Sequence, residues 1–435
     1  MKRRKGLNTM VRGDKVYSNY VNILKEELVP AMGCTEPIAI AYAAAKARDV
    51  LGSMPKCMKL YVSGNIVKNV KSVIVPNTNG LKGIEAAAVA GIVGGKSEKI
   101  LEVIADVTEE QKEKMRTFLK ECLISVRPSE SEDALDIHVV LINGEESASV
   151  RISGYHTNIV LIEKNGEVLY KAGIIKAVEE ASLADKNLLT IREIVEFANI
   201  VEIEDIKEIL DRQITYNVAI AEEGLKHSWG ANVGSVLLAR HGDDLRTKAK
   251  AYAAAGSDAR MSGCELPVII NSGSGNQGMT TSLPVIIYAR GYEKTEEELY
   301  RALVVSNLVT IHQKSGIGRL SAYCGAISAG CGAGCGIAYL LGADYRAISH
   351  TLINSVAIVS GIVCDGAKPS CAGKIASAVD AGIFGYEMYL SGQQFYDGDG
   401  LVSKGVEKTL VNIGRLGSVG MKETDKEIIR IMTGC

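Results

Sequence analysis

The chain carries ten cysteines, and six of them lie in glycine-rich or turn-like settings: Cys34, Cys324, Cys331, Cys335, Cys364 and Cys371. A thiolate can ligate a metal, attack an electrophile or take up a proton. No CxxC pair occurs, and the six histidines are scattered with no HExxH. Zinc-ribbon and thioredoxin-like chemistry are therefore absent. The segment Cys364-Asp-Gly-Ala-Lys-Pro-Ser-Cys371 is more informative, because Gly366 and Pro369 force a loop between two thiols. A third thiol from the Cys324–Cys335 stretch would complete a three-cysteine set. Iron–sulfur clusters are held by cysteine thiolates. Three protein thiolates would leave one iron without a protein ligand, open to act as a Lewis acid. Cys57, Cys122, Cys264 and Cys435 have no motif around them and read as packing or incidental residues.

Cys34 stands just before a predicted helix start. The helix macrodipole favours a thiolate there by about 0.3–1 kcal/mol, less than the ~1.4 kcal/mol that one pKa unit represents. Starting from ~8.5, the thiol stays mostly protonated near neutrality. A cation or a cluster would have to do the rest, and Glu36 opposes it unless it points away. Further on, Asn271-Ser-Gly-Ser-Gly-Asn-Gln-Gly278 contains a literal GxGxxG after the apolar stretch Leu266 to Ile270. A dinucleotide site would also need a βαβ unit and a long helix, which Pro284 is expected to prevent; no Walker lysine follows either. An anion nest of successive backbone amides is the better reading, with Asn271, Ser272, Asn276 and Gln277 as neutral donors for a small carboxylate. A tight helix–helix turn is the alternative.

These residues must be positioned by elements. Residues 14–29 read as an amphipathic helix, from Tyr17, Tyr20, Leu24 and Leu28. An Ala-rich helix is expected from about Ile38 to Leu51, with Pro37 at its first position and Glu36 or Thr35 as cap. Strands are expected at 59–62, 73–75 and 135–141, and helices at 84–93 and 108–123. Asn165-Gly166 is a hairpin signal. From Thr190, which with Glu193 forms a capping-box signature, the pattern is helical to the end. The fold class is α+β overall, with a mainly α-helical catalytic domain from 1–54 and 181–435 and an α+β domain inserted at 55–180.

Composition narrows the function classes. Of 435 residues 47% are apolar, and 49 basic residues against 51 acidic leave a net charge of -2, which argues against a nucleic-acid binder driven by bulk charge. Aromatics are only 5% while glycines number 45, so the core must consist of small and aliphatic side chains in close contact. No apolar h-region follows the basic start MKRRKGLNTMVRGDK, so it does not read as a signal peptide. The uncharged run Leu320 to Gly342 is long enough for a membrane span but rich in small residues, so it reads as a buried segment. No membrane association is expected, and a cytoplasmic location with reduced thiols follows.

Four separated motifs carry a resemblance: Gly33-Cys34-Thr35-Glu36-Pro37, Asn271 to Gly278, Gly318-Arg-Leu-Ser-Ala-Tyr-Cys-Gly325, and Cys364 to Cys371. In this order they resemble the L-cysteine desulfidase family over nearly the whole chain. That family is related to the α chain of iron–sulfur L-serine dehydratases, which 240–380 resembles more loosely. The resemblance implies an oxygen-sensitive [4Fe–4S] cluster with three cysteine ligands. It also implies conversion of L-cysteine to sulfide, ammonia and pyruvate without pyridoxal phosphate. Cys364 and Cys371 match the paired cluster cysteines, Cys324 the third ligand with Cys331 as runner-up, and Cys34 the catalytic base. Thr35 joins the 271–278 loop as a carboxylate contact. A terminal cysteine caps the open iron in some dehydratases, and this chain ends in Cys435. The rival readings are an L-serine dehydratase or related amino-acid lyase, a non-catalytic iron–sulfur sensor, and a transporter subunit. A homodimer is the base-rate assembly.

Overall fold

The computed structural model describes residues 10–131, 133–172, 184–318 and 320–434. Cys435 and the expected domain boundary near residue 180 lie outside them. The apolar stripe Tyr17, Tyr20, Ile23 and Leu24 buries one face of α1 (Lys15–Glu27), as its spacing predicts. Strand β1 (Pro30–Met32) and helix α2 (Thr35–Leu51) follow. Helix α2 begins at Thr35 instead of Ile38, so its N-cap is Cys34 rather than Thr35 or Glu36. Pro37 fits inside that first turn because the leading amides of a helix have no intrahelical acceptor anyway.

A six-stranded sheet lies wholly between Cys57 and Lys171. Its strands are β2 (Cys57–Val62), β3 (Leu123–Pro128), β4 (Asp136–Asn143), β5 (Glu146–Ser153), β6 (Ile159–Lys164) and β7 (Glu167–Lys171), in the order β3-β2-β4-β5-β6-β7. Only β2 and β3 are parallel. The connection between them runs through α3 (Gly64–Val70), α4 (Gly83–Gly94) and α5 (Glu109–Glu121), since parallel neighbours need a crossover. Asn165 and Gly166 take φ of 52° and 80° and turn β6 into β7, the geometry that an Asn-Gly hairpin requires. The expected strand at 73–75 is reduced to one bridge, Ile74 with Lys82. Helix α2 packs on α4 and across β4 and β5. Alanines bury most of its length, so the backbone can lie close to the sheet.

The rest is helical: α6 (Ile191–Ile200), α7 (Lys207–Lys226), α8 (Val233–His241), α9 (Leu245–Met261), α10 (Gly275–Gly291), α11 (Glu296–Ile317), α12 (Gly325–Leu340), α13 (Tyr345–Val359), α14 (Cys371–Leu390), α15 (Val406–Arg415) and α16 (Lys422–Thr433). One short strand, β8 (Pro267–Ile269), interrupts them and pairs antiparallel with β1. This pairing holds the start of α2 against the helices. Pro284 does not stop α10, which runs through it. The uncharged run becomes α12, buried among α10, α11, α13 and α14. A Cβ on Gly382 of α14 would sit 2.2 Å from the Gly330 carbonyl oxygen of α12, so these two helices meet backbone to backbone. Among the described residues no helix is long and apolar enough to cross a membrane. The fold is α+β overall and mainly helical.

Candidate active site

Four helices begin at one place. Cys34 is the N-cap of α2, Ser274 of α10 and Cys324 of α12, while Cys371 is the first residue of α14. None of these four starts has a side-chain cap. Cys34, Ser274, Cys324 and Cys371 all line a single cavity, together with Cys364. Each start carries a partial positive charge of roughly half an electron, although the Cys371 and Ala372 amides of α14 already donate to the Lys368 and Pro369 carbonyls. The cavity is thus built to favour anions, whether thiolates or a carboxylate.

Local structure explains the convergence of the thiols. Residues 322–324 and 362–364 form a short antiparallel bridge centred on Tyr323 and Val363. The Cys364 amide donates to the Ala322 carbonyl at 2.7 Å, and the Cys324 amide to the Ile362 carbonyl at 3.2 Å. Cys371 closes the loop, its Sγ donating to the Gly366 carbonyl at 3.6 Å. On the opposite side Cys34, Val73 and Met261 form a small apolar cluster against which Ala367 and Cys371 pack. The hydrogen bond from Cys324 pushes the Cys364 thiol down, against its burial, and the charges of Lys68 and Lys374 act in the same direction. Cys324 is pushed up as the donor of that pair, and Cys371 by burial. Cys331 and Cys335 are buried within α12 and do not line the cavity.

Cys34 has a definite partner. Glu36 does not point away: its Oε2 accepts from the Cys34 thiol at 3.0 Å, and the Thr35 hydroxyl lies 3.2 Å from it. Asn69 of α3 donates to Oε1 at 3.1 Å. His156, just after β5, has Nε2 3.8 Å from Oε1, an ion-pair separation beyond hydrogen-bond reach. Burial pushes the Glu36 carboxyl up, but His156 and the bonds to Cys34 and its own backbone outweigh it and hold it at about 2. Burial and then the Glu36 charge push the Cys34 thiol well up, only partly opposed by Arg260. The resting pair is a thiol donating to a carboxylate.

Not all of the expected polar residues reach the cavity. Asn276 and Gln277 line it. Thr35 instead donates to the Gly273 carbonyl at 2.9 Å and ties the loop to α2. Asn271 donates to Asn307 Oδ1 at 3.0 Å, in a buried network that continues to Gln213. Ser272 donates to Asn271 at 2.9 Å and lines a second cavity with Glu27, Lys186 and Lys314. Sequence reasoning missed Arg260, Lys68, Asn69 and His156. Arg260 closes an Ala-rich helix, where a cation reads as a dipole partner, and the other three share no spacing with the cysteine motifs.

Among the described residues no three His, Cys, Asp or Glu side chains converge closely enough to hold one metal ion. A cluster makes a different demand, since each iron takes its own thiolate. The donor set suits one. Cys324, Cys364 and Cys371 face one cavity, and Lys68 and Lys374 favour the deprotonated form of Cys364 that ligation needs.

Residues 98–430 match the family described as serine dehydratase alpha chain. A UPF0597 protein of Desulfitobacterium hafniense is 63% identical over 423 residues, covering 97% of this chain and 98% of the relative. One of Lachnoclostridium phytofermentans is 52% identical over 417 residues, 96% of this chain and 100% of the relative. A third, of Treponema denticola, is 46% identical over 422 residues, 96% and 98% of the two chains. The chain belongs to the serine dehydratase alpha chain family and is similar over almost its full length to the UPF0597 proteins.

Proposed function

We propose that this protein is an L-cysteine desulfidase, a carbon–sulfur lyase that releases sulfide from L-cysteine without pyridoxal phosphate. The observation that supports the reading is the meeting of Cys34 with Cys324, Cys364 and Cys371 around one anion-favouring cavity. Cys324, Cys364 and Cys371 would hold a [4Fe–4S] cluster. When bound, the cluster would supply a Lewis acid with affinity for the substrate sulfur.

The chain's own residues account for the proton. The Cα–H bond of cysteine is weakly acidic and needs a base in reach, a role worth about 10²–10⁴-fold. Cys34 and Glu36 act as one accepting pair. The Cα proton passes to the Cys34 sulfur while the thiol proton passes to Glu36 Oε2, 3.0 Å away. The Cα–H electrons form the Cα–Cβ double bond as the Cβ–S bond breaks and sulfide leaves. The 2-aminoacrylate product then tautomerises and takes up water, giving pyruvate and ammonia. Asn276, Gln277 and the open amides of α10 fix the substrate carboxylate, and so the direction of the Cα–H bond. Reduced thiols suit a cytoplasmic setting.

The family match favours a second reading, in which the leaving atom is the oxygen of L-serine. The same residues would hold the carboxylate and take the proton. Protein purified anaerobically, with iron and sulfide counted, is assayed with both amino acids. Sulfide from L-cysteine at the higher kcat/KM supports the desulfidase. Faster pyruvate release from L-serine supports the dehydratase, and no product from either sinks both.

A further inference from the structure

Arg260 is the last arginine of α9, and its residue is only 2% exposed. It lines the cavity, yet its guanidinium is barely used by the protein. Nη1 donates to Asn276 Oδ1 at 3.0 Å, while Nε is buried with no partner. Asp258, two residues earlier and so on a different face of α9, spends its Oδ2 on the Gly234 amide at 3.2 Å and leaves Oδ1 unpartnered, so it does not neutralise Arg260. Gln277 Oε1 is likewise buried and unpartnered at the same wall. The glycine-rich loop is shaped around the guanidinium: a Cβ on Gly275 would meet Arg260 Nε at 2.4 Å and Cζ at 2.7 Å. The planar guanidinium therefore lies across the backbone at the uncapped start of α10. A buried cation with open donors, beside open helix amides, is a receptor for one carboxylate.

We infer that Arg260 is the anchor for the α-carboxylate of the substrate, with the α10 amides completing the cradle. The inference rests on reading the cavity as an amino-acid site, and it names the group that every ligand there must carry. The ligand class is a small L-α-amino acid with a free carboxylate. Amides are rejected because they offer neither the charge nor two acceptor oxygens to the fork, and esters because they lack the charge. Arg260 positions the substrate and does not itself exchange a proton with it, since a guanidinium stays charged.

The test uses anaerobically prepared, cluster-loaded protein and L-alanine, a cysteine without its sulfur. Calorimetry compares L-alanine with L-alaninamide on wild type, R260Q and R260K. Wild type should bind L-alanine and discriminate against the amide. R260Q should bind L-alanine about 30-fold or more weakly, the usual cost of truncating one partner of a buried charge pair, and should lose the discrimination. R260K should recover part of both. Iron content and the visible spectrum should be unchanged in R260K. Equal binding of L-alanine and L-alaninamide by wild type would overturn the inference, as would undiminished L-alanine binding by R260Q. If cysteine yields no sulfide while L-alanine binding still depends on Arg260, the desulfidase reading falls and the carboxylate anchor stands.

Discussion

Glu36→Gln separates two accounts of the proton. If the Cys34 thiolate works alone, Glu36 is an obstacle, because its charge pushes the thiol up and holds the proton on sulfur. Removing that charge should then ease thiolate formation, with burial still opposing it, and preserve or raise activity. If the pair works together, the neutral amide of the variant has no site for the proton, and kcat should fall by about 10²–10⁴-fold, the range for a general base. KM should change little, because the carboxylate is held elsewhere. The thiol should meanwhile become more reactive, so alkylation of Cys34 by iodoacetamide at pH 8 should be faster in the variant. The same substitution has a stability signature. Although burial raises it, the Glu36 carboxyl is held at about 2 against an ordinary 4.5. A depressed carboxyl contributes stability above pH 4.5 that is lost as pH falls through about 2. At ~1.4 kcal/mol per pKa unit the contribution is at most about 3 kcal/mol, and less in proportion to His156, whose Nε2 stands beyond hydrogen-bond distance. Urea unfolding between pH 7 and pH 3 should therefore show a shallower acid loss in the variant. The assay is anaerobic sulfide release with iron counted in each sample. Faster alkylation together with undiminished kcat would refute the relay and leave Cys34 as the sole base.

Cys34→Ser should abolish turnover and keep the iron content and brown colour of wild type; full activity would remove Cys34 from the chemistry. Cys371→Ala should lose or bleach the cluster, whereas Cys331→Ala, buried in α12 away from the cavity, should keep its iron and lose only about 1 kcal/mol of stability. Equal iron loss in the two would overturn the choice of ligands. Lys68 lines the cavity with its side chain only 1% exposed, and it pairs with Asp425 of α16. Asp425→Asn should strand that charge and destabilise the chain by about 3–5 kcal/mol in urea unfolding, and a change below 1 kcal/mol would show that another group neutralises Lys68.

The thiols were legible because each sits where glycine and proline already mark a turn. Cys34, Cys324 and Cys371 all fall at helix starts, and a helix start is a local event that sequence records. The Asn165-Gly166 hairpin was legible for the same reason, and β2 and β4 were expected, but β3 and β5 were not. The strand expected at 73–75 was not, because Val73 to Val75 have strand composition but only one bridge to pair with. Pro284 misled in the opposite sense, since α10 is held on all sides by neighbours and keeps its course through a proline. Tertiary burial decided both.

What sequence could not supply is the charge brought from outside the motifs. The thiol motifs carry Glu36, Asp365 and Lys368 themselves, but the cavity is also ringed by Lys68, Arg260 and Lys314. Lys68, Asn69 and His156 come from the α+β part, Arg260 and Lys314 from the helices, and nothing in their spacing links them. They meet because α2 lies between the two parts, packed on β4 and β5 along its length, while its first residues reach the starts of α10 and α14. The pairing of β1 with β8 fixes that reach, and the backbone-to-backbone contact of α12 with α14 fixes the thiols opposite. The shortage of aromatic side chains belongs to the same design. A bulky residue at Gly330 or Gly382 would part α12 from α14 and draw Cys371 away from Cys324. The small-residue core is therefore what allows four helix starts, and the anion-favouring field that they create together, to share one cavity.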